Sequence, residues 1–544
     1  MRLHNKMKPV ALAVIGMGVM APAMAFEAIQ FDNGAVLESR VTSTYTLSTR
    51  LEDRDPVLSG ANNPTGNDGN NNFDKGSLTS NRLSLLFDTH FKKGNSGFIL
   101  SASTFYDDVY HGSNDNDGTS FPNKIGGAAD RFTGDAKRYH GGYSRILDAY
   151  GYTSFNVGEQ GRATIRLGRH VVSWGETLFI GGISAAQGPA DGTKAGIPGT
   201  EVKDQLLPED QISALYEVND KLSLMAHVQY GWHKTLVNAP GSFMSTSDIV
   251  GPGAACLGFA MVGGNRVCTT PRAADDKPGN TGQWGVGAKY RVTDETEVGL
   301  IYLNYHDRAP NVDINYFDPA GPNFRHRYFE DIKMLGATFS TTFGIATLGG
   351  EISYRKDAPA LVNTRANLGG QFRTLPTATT ADVLQTNLNT FVNIGRTALA
   401  PQANFLAEVA YTDVRNPDAR RVPGATAITN QFGLTPESDD LSFGSYGVAF
   451  SSTLSLTYPG IIENWELGVP ISYSRQLKGR TLQGNLGMGE GDHRLSVGAT
   501  MTYRRNLQIG LTYLGYFGDA SLDSVKNRQL TDRDQLSMVV KYTF

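Results

Sequence analysis

The feature that most constrains this chain is a two-residue alternation of apolar and polar side chains, which recurs along most of its length. The stretch RLSVGATMTYRR, residues 494–505, carries a large or apolar side chain at every second position, and so does WELGVPISYS, residues 465–474. Successive side chains of an extended strand point to opposite faces. Each stretch is therefore predicted to be a strand with one apolar face and one polar face.

The polar faces of these strands are mostly small and uncharged, while aromatic residues fall at the ends of the apolar faces, as Trp465, Tyr473, Phe405 and Tyr411 do. Aromatic girdles of this kind flank the lipid-facing band of a membrane barrel, whose alternation keeps mean hydropathy mild; here it is −0.29. A soluble β-solenoid is the alternative, but no fixed short repeat is visible. The pattern predicts an all-β, transmembrane antiparallel barrel.

The connections between the predicted strands alternate between short and long, as the periplasmic turns and outer loops of such barrels do. Counting strands from Leu37–Leu51 to 534–544 predicts eighteen, although sixteen is possible because 142–156 and 328–343 alternate poorly. The short connections include 92–97, 158–161, 219–221, 293–296, 400–403 and 504–506. The long ones are 52–78, 111–140, 175–208, 235–281, 309–327, 357–382, 417–442, 477–490 and 519–533.

The first 25 residues have the three parts of a secretory signal: cationic residues, an apolar run at 10–20, and the small-x-small site Ala23-Met24-Ala25. A membrane anchor is the alternative, but spanning a bilayer takes about 20 apolar residues. We therefore predict cleavage after Ala25, a short periplasmic segment at 26–36, a barrel at 37–544, and location in the outer membrane of a Gram-negative bacterium.

The net charge and the two cysteines limit which partners and which thiol chemistry we expect for this chain. Loss of three cations with the signal peptide takes the formal net charge from −4 to −7, which argues against a nucleic-acid partner. Cys256 and Cys268 lie close together in a Gly-rich segment, and in an oxidising compartment we expect a disulfide between them. Reactive or metal-binding thiols are the alternative.

Ionisable and aromatic side chains on the inner faces are the candidates for lining the lumen or its constriction. They are Arg82, Asp88, Arg145, Arg166, His170, Trp174, Phe179, His227, Glu408, Glu466 and Arg494, with His90, Glu351 and Lys541 on the same faces. The mixture of signs argues against a strongly ion-selective pore. These residues either pair across the lumen and stabilise the wall, or select what passes.

Pro470 lies inside an alternating strand, where it removes a ladder hydrogen bond. It marks either a bulge or a gap in the barrel wall through which an apolar solute leaves sideways.

The long connection 175–208 is unusually apolar for a loop in water, with Leu178, Phe179, Ile180 and Ile183 near its start. Folding inward would bury these residues, so we predict a plug-like loop that constricts the barrel. A second apolar run, CLGFAMVGGNRVC at 256–268, could form an outer collecting surface. The alternative is that these loops pack on each other.

The chain closes on DQLSMVVKYTF, residues 534–544, and a barrel must pair its last strand with its first. The ending with Tyr542 and Phe544 resembles the C-terminal signature of outer-membrane proteins that the barrel-assembly machinery reads.

Several stretches resemble one family: GNDGNNNFDKG (66–76), SNRLSLL (80–86), RLGRHVVSWGETLFIGG (166–182), KDQLLPEDQISA (203–214) and GSFMSTSDIVGPGA (241–254). They look like the thirteen-oh-two family of domains of unknown function (DUF1302), over essentially the whole mature chain. The resemblance implies a proteobacterial outer-membrane protein that transports poorly soluble compounds, encoded beside a periplasmic lipoprotein-like family and exporters of the resistance-nodulation-division (RND) type. The family has no established site residues to carry over.

Three functions follow as hypotheses. The first is an outer-membrane channel that passes hydrophobic small molecules or lipids by loop capture and gated passage, without catalysis or cofactors. The second is a general hydrophilic porin, and the third is the outer-membrane component of an export system with a periplasmic partner. The expected contacts are outer-membrane lipid, lipopolysaccharide and a small hydrophobic ligand.

The sequence argues against an enzyme and predicts no catalytic, cofactor or metal site. Ser223 and His227 share a face but lie about 13 Å apart at the ~3.3 Å rise of a strand, and no Gly-x-Ser-x-Gly elbow is present. Calcium binding stays open for the loops NPTGNDGN (63–70) and SNDNDGTS (113–120). Asp115 and Asp117 lack the distal Glu of an EF-hand loop, and Asx-turns explain them equally well.

Overall fold

The computed structural model describes residues 28–119, 122–368, 370–484 and 487–544. The predicted signal peptide, 1–25, lies outside the described residues and stays a prediction.

Most of the chain forms one antiparallel sheet of nineteen strands, in which Ile29–Gln30 is a short addition to the first long strand and the other eighteen form a barrel. The barrel strands, β1 to β18 in chain order, are Val36–Arg50, Leu78–Lys93, Ser96–Asp107, Gly142–Val157, Gly161–His170, Glu209–Glu217, Leu222–Gln229, Trp284–Arg291, Thr296–Tyr305, Ile332–Phe343, Ala346–Leu368, Gln371–Gly395, Gln402–Arg415, Tyr446–Ile462, Trp465–Gly479, His493–Tyr503, Leu507–Phe517 and Gln535–Thr543.

The barrel is closed, because β18 pairs with β1 in a continuous antiparallel register from Thr42↔Thr543 to Arg50↔Gln535. The Phe544 amide also donates to the Val41 carbonyl. Neither strand is left with a free edge, as a membrane-spanning sheet requires. The prediction of an eighteen-stranded barrel is confirmed, and sixteen strands is wrong.

The alternation read from the sequence separates the two faces of the wall. In β18, Met538 is exposed on the outside, whereas Ser537 is buried on the inside, where its hydroxyl bonds that of Ser48 at 2.8 Å. Aromatic pairs such as Trp284–Tyr302 and Trp465–Tyr503 lie at strand ends, with ring centroids 5.5 and 5.2 Å apart. An apolar outer band with aromatic ends is the surface that a barrel presents to lipid.

The connections alternate in length, and by the rule for outer-membrane barrels we call the long ones outer loops and the short ones periplasmic turns. One expected outer loop, 357–382, is wrong: β11 and β12 run through it as strands of 23 and 25 residues that pair as far as Leu368↔Gln371. Its Gly, Asn, Asp and Pro residues suggested a loop, but Ala358, Ala360, Ala378 and Ala381 pack with large apolar residues in a buried cluster. Tertiary packing therefore overrides local propensity here.

The outer loops carry several short elements. The helices are Pro56–Ser59, Asp68–Asn71, Gly134–Ala136, Val202–Gln205 and Ala427–Gln431, with 3₁₀ turns at Asp108–His111, Ser184–Ala186 and Gly192–Lys194 and a π turn at Lys137–Gly141. Two hairpins are formed by Phe259–Val262 with Asn265–Cys268 and by Asn311–Asn315 with Asn323–Arg327. In the part of the chain that the structure describes, no helix is long and apolar enough to cross a membrane.

Candidate functional site

The site is the barrel lumen together with the connection 171–208 between β5 and β6, which we call the inward loop. Its first half, 174–186, lies against the wall formed by β7 to β14, and its second half, 190–206, lies against β1 to β5 and β18. The predicted inward-folded, plug-like loop is confirmed.

Glu408 on β13 holds the start of the loop through backbone amides. Its Oε2 accepts hydrogen bonds from the N–H groups of Leu178, Phe179 and Ile180 at 3.0, 2.5 and 3.1 Å, while its Oε1 accepts one from Asn387 at 2.7 Å. The side chain is 1% exposed. A buried carboxylate is tolerated when its oxygens are this well bonded.

Glu351 on β11 acts in the same way on the next turn of the loop. It accepts the amide of Glu176 at 2.8 Å and that of Ile183 at 2.7 Å. Gly182 must be a glycine for this approach, because a Cβ there would lie 1.8 Å from Glu351 Oε1. Two wall carboxylates therefore bind five amides of one short segment.

The carbonyl groups of the same segment bond to a ladder of amide side chains on β12. Gln385, Asn387 and Asn389 donate to the carbonyls of Gly181, Ile180 and Glu176 at 2.9, 3.2 and 2.6 Å. The wall thus satisfies both donors and acceptors of the loop backbone, much as a neighbouring strand would.

Apolar packing completes the first half. Ile183 and Ala186 are buried in a cluster with residues of β9, β10, β12 and β13, and Ile180 packs on Ala410 and Ala449 with Phe179 beside it. The apolar residues that pointed to an inward loop are therefore mostly used to seat it on the wall. Trp174 is half-buried, with its ring 4.9 Å from that of His227.

The second half is held by ion pairs between loop and wall. Arg145 pairs with Asp191 of the loop, both side chains being buried. Lys203 reaches Asp88 at 2.6 Å and Asp148 at 3.2 Å. Near the periplasmic end, Lys541 pairs with Glu201 at 2.6 Å, and Lys194 pairs with Asp204 within the loop at 2.8 Å.

The other predicted lumenal residues are placed as follows. Buried Arg82 has its guanidinium 3.6 Å above the Phe105 ring. His170 bonds the Ser213 hydroxyl at 2.7 Å, and the Arg166 guanidinium lies 5.9 Å from the Tyr150 ring. Two further residues are on β15 and β16: Glu466 is exposed near the periplasmic end, and Arg494 lies 3.7 Å from Asp492.

Of the two roles expected for these charges, stabilising the structure describes Asp88, Arg145 and Glu408 best. Their partners, however, belong to the inward loop and not to the opposite wall. Asp191, Lys203 and the amide ladder of β12 were not predicted from the sequence. The alternation of Gln and Asn in LQTNLN, residues 384–389, was the available signal for the ladder.

A cavity of about 260 Å³ remains between the second half of the loop and the wall. Val202 and Leu206 of the loop face this space and are 66% and 48% exposed. It is lined by Leu147, Asp148, Tyr150, His170, Val171, Val202, Lys203, Leu206 and Pro208. The lining thus combines apolar side chains with a few polar ones, as the lining of a small-molecule pocket usually does.

A different surface lines β14 to β17. Ser451 bonds Ser474 and Thr453 bonds Ser472 across β14 and β15, at 2.8 and 2.9 Å. In the described parts of the chain, this wall makes no hydrogen bond to the inward loop. It presents hydroxyl groups to the lumen.

Pro470 faces the lumen on β15, and the ladder with β16 is interrupted there, between Gly468↔Thr500 and Ile471↔Val497. A Cβ at Gly498 would lie 3.2 Å from Pro470 Cγ, so a glycine opposite accommodates the ring. The interruption is local, and an exit through the wall stays a prediction.

In the fourth outer loop, Cys256 and Cys268 form a disulfide that closes the hairpin at 259–268. Its tip exposes Met261, Val262 and Val267. This is the surface for which the sequence suggested a collecting role. Tyr542 and Phe544 stack edge to face at the end of β18, with centroids 4.7 Å apart.

A family model described as "Protein of unknown function (DUF1302)" matches residues 6–544. The chain is therefore an outer-membrane-type β-barrel that belongs to the DUF1302 family. No curated protein matches the chain.

Among solved structures, OccAB1 of Acinetobacter baumannii is 11% identical with a TM-score of 0.41, over 96% of this chain and 99% of that one. OpdK of Pseudomonas aeruginosa, solved with vanillate, is 12% identical with a TM-score of 0.38, over 93% and 98%. The outer membrane channel DcaP of A. baumannii is 12% identical with a TM-score of 0.36, over 95% and 99%.

Proposed function

We propose that this barrel is an outer-membrane channel for small hydrophobic molecules that carry a polar group, which bind beside the second half of the inward loop on their way through. The observation that supports this most strongly is the exposure of Val202 and Leu206 at a cavity whose lining also includes Leu147 and Val171. Exposed apolar side chains at a cavity are costly in water and mark a binding surface.

The cavity also has groups that suit the polar end of such a ligand. Lys203 and Asp148 offer a donor and an acceptor at one side, and His170 and Tyr150 lie on the same lining. The charges beside the pocket nearly balance, because Lys203 pairs with Asp88 and Asp148 and Asp88 also pairs with Arg40. We therefore favour a neutral or weakly polar head group over a strongly charged one.

Capture would begin at the outer hairpin, where Met261, Val262 and Val267 are exposed. A solute then passes the inward loop only when the second half of the loop yields. The wall makes fewer hydrogen bonds to the backbone of this half, among them those from Thr46 and Gln535 to the Pro198 and Gly196 carbonyls, so it is the half better suited to gating. The direction of transport and a periplasmic lipoprotein or RND-type partner stay predictions.

The test is equilibrium binding of an environment-sensitive naphthylamine fluorophore to the detergent-folded barrel. The Val202→Ser/Leu206→Ser double variant should bind it at least several-fold more weakly than wild type. Ile428→Ser, which removes an exposed apolar side chain from the helix Ala427–Gln431, should bind as wild type. Equal binding by all three proteins would contradict the proposal.

A hydrophilic porin is the second candidate, and the hydroxyl-lined wall of β14 to β17 is the observation that favours it. Wide barrels of this strand number can leave an aqueous channel. Planar-bilayer recording separates the two: a large, steady, nonselective current supports the porin, whereas a small or intermittent current supports the plugged hydrophobic channel.

A further inference from the structure

Two outer loops that are far apart in sequence are joined closely on the outer side of the barrel. Residues 66–69 of the first outer loop lie against 242–248 of the fourth. A Cβ at Gly69 would be 2.6 Å from the carbonyl oxygens of Ser242 and Ser245, and one at Gly66 would be 2.8 Å from that of Thr246. The two glycines permit backbone contact that any larger residue would prevent.

This contact buries two carboxylates side by side. Asp68 is 4% exposed and Asp248 is fully buried. The Asp68 amide donates to Asp248 Oδ2 at 3.4 Å, and the Asp248 amide donates to the Thr65 carbonyl at 2.6 Å. Asn123, from the second outer loop, donates its amide to Asp68 Oδ2 at 2.8 Å. Three outer loops therefore meet at this pair.

The remaining oxygens of the cluster have no hydrogen-bond partner among the described residues. They are Oδ1 of Asn67, Oδ1 of Asp68, Oδ1 of Asn123 and Oδ1 of Asp248. Buried polar atoms are nearly always bonded in native proteins, so four unpaired acceptors in one cluster need an explanation. Each of these oxygens needs a hydrogen-bond donor or a cation, which another carbonyl or carboxylate oxygen does not supply.

Lys124, Arg266 and Arg533 are the cations that face the pair. Burial raises the pKa of Asp68 to about 6, against the opposing attraction of Lys124 and Arg266. Burial, and then the charge of Asp68, raise the pKa of Asp248. The surrounding cations thus compensate only in part for two buried carboxylates.

We propose that Asp68 and Asp248, with the side-chain oxygens of Asn67 and Asn123, form a calcium site that fastens the first, second and fourth outer loops together. Calcium takes carboxylate and amide oxygens in flexible geometry, and sites in extracellular modules bind it with a Kd of roughly 0.1–1 mM. A donor set made only of oxygens suits a hard cation and excludes the thiol- or imidazole-bound metals.

Asp68 lies in one of the two Asp-rich loops for which the sequence left calcium binding undecided. In the other, Asp117 accepts the amide and hydroxyl of Thr119 in an Asx-turn. Asp115 bonds the Asp74 amide and the Ser77 hydroxyl. Those carboxylates bond groups of the protein, whereas Asp68 and Asp248 each keep one oxygen that no described residue bonds.

The experiment is calorimetric titration of CaCl₂ into the EDTA-treated, detergent-folded barrel at neutral pH, together with limited proteolysis of the outer loops. Wild type should bind about one calcium ion and become protected from cleavage as it does. Asp248→Asn should weaken binding at least about tenfold, a loss comparable to that seen even for outer-shell groups at metal sites. The matched control is Asp439→Asn, an exposed outer-loop carboxylate, which should bind as wild type.

Heat-dependent gel mobility checks that each variant has a folded barrel, and Asp68→Asn replaces Asp248→Asn if the latter does not fold. The Asp68→Asn/Asp248→Asn double variant should be protected equally with and without calcium, because the buried charge is gone. The proposal would be overturned if wild type bound no calcium or if the single variants bound it as tightly as wild type. It would also be overturned if the loops became protected at pH 5 while calcium had no effect at neutral pH, which would indicate a protonated carboxyl pair.

Discussion

The two halves of the inward loop are held in different ways. The first half, 174–186, is bound through its own backbone by Glu351, Glu408 and the amide ladder of β12. The second half, 190–206, is bound mainly through side chains, by the pairs Arg145–Asp191, Lys203–Asp88 and Lys541–Glu201. The first half is therefore fixed through its backbone, whereas the second half depends on ion pairs, of which Arg145–Asp191 is buried and Lys203–Asp88 is partly exposed.

Backbone bonds to buried acceptors are short-range and little affected by ionic strength, whereas partly exposed ion pairs are screened by salt. The cavity with Val202 and Leu206 lies beside the second half. The proposed binding surface therefore lies next to the half of the loop that depends on ion pairs, and the following substitutions test this assignment.

Glu408→Ala should have the largest effect. It leaves three loop amides and the Asn387 amide without their acceptor, and each buried donor left unpaired costs about 1–3 kcal/mol. We expect the first half to leave the wall and become cleavable by protease in the folded barrel. Glu408→Gln keeps an acceptor oxygen and should be intermediate. Protection equal to wild type in Glu408→Ala would contradict the role given to this residue.

Arg145→Met should come next. It removes the cation facing Asp191, whose side chain is fully buried, and breaking a buried pair from one side costs roughly 3–5 kcal/mol. Proteolysis should then occur within 190–206 while 174–186 stays protected. The Arg145→Met/Asp191→Asn double variant should recover most of the protection. Simultaneous release of both halves would show that they are not independent.

Gly182→Ala tests the seat of the first half sterically. The added Cβ would collide with Glu351 Oε1, and overpacking of this kind costs about 1–3 kcal/mol. The measurement is hydrogen exchange of the loop amides, which should accelerate between 176 and 183. Gly134→Ala, where the added methyl meets open space, is the control and should exchange as wild type. Identical exchange in the two variants would count against the close approach.

Lys203→Met should have the smallest effect. Its side chain is 38% exposed, and such pairs contribute about 0.2–1 kcal/mol. Exchange at 200–206 should rise slightly at low salt, and the difference from wild type should vanish at high salt as screening removes the pair. Lys277→Met, at an exposed outer-loop lysine, is the control. A difference that persists at high salt would mean that Lys203 acts by packing instead.

Much of the fold could be predicted because the alternation reports directly which face of a strand meets lipid. The pairing of 534–544 with the first strand, the eighteen strands and the short turns all follow from this period. The segment 357–382 was misread because its Gly, Asn, Asp and Pro residues resemble loop composition, and the buried packing of Ala358 and Ala378 cannot be seen in the sequence.

The site was predictable only in part. Inner-face position follows from the alternation, so Glu408, Arg145 and Asp88 were found. Their partners were not, because a carboxylate that binds backbone amides leaves no charged counterpart in the sequence, and Ile180 is 228 residues from Glu408. The cation proposed between Asp68 and Asp248 depends on a loop contact that no local pattern encodes.

The central claim is that the inward loop, seated on Glu351 and Glu408, obstructs the lumen. Single-channel conductance in planar bilayers tests it most directly, comparing wild type with a variant in which 176–186 is replaced by a Gly/Ser linker of equal length. We expect a small or intermittent current from wild type and a large, steady current from the variant. Large, steady currents of equal size from both proteins would contradict the account.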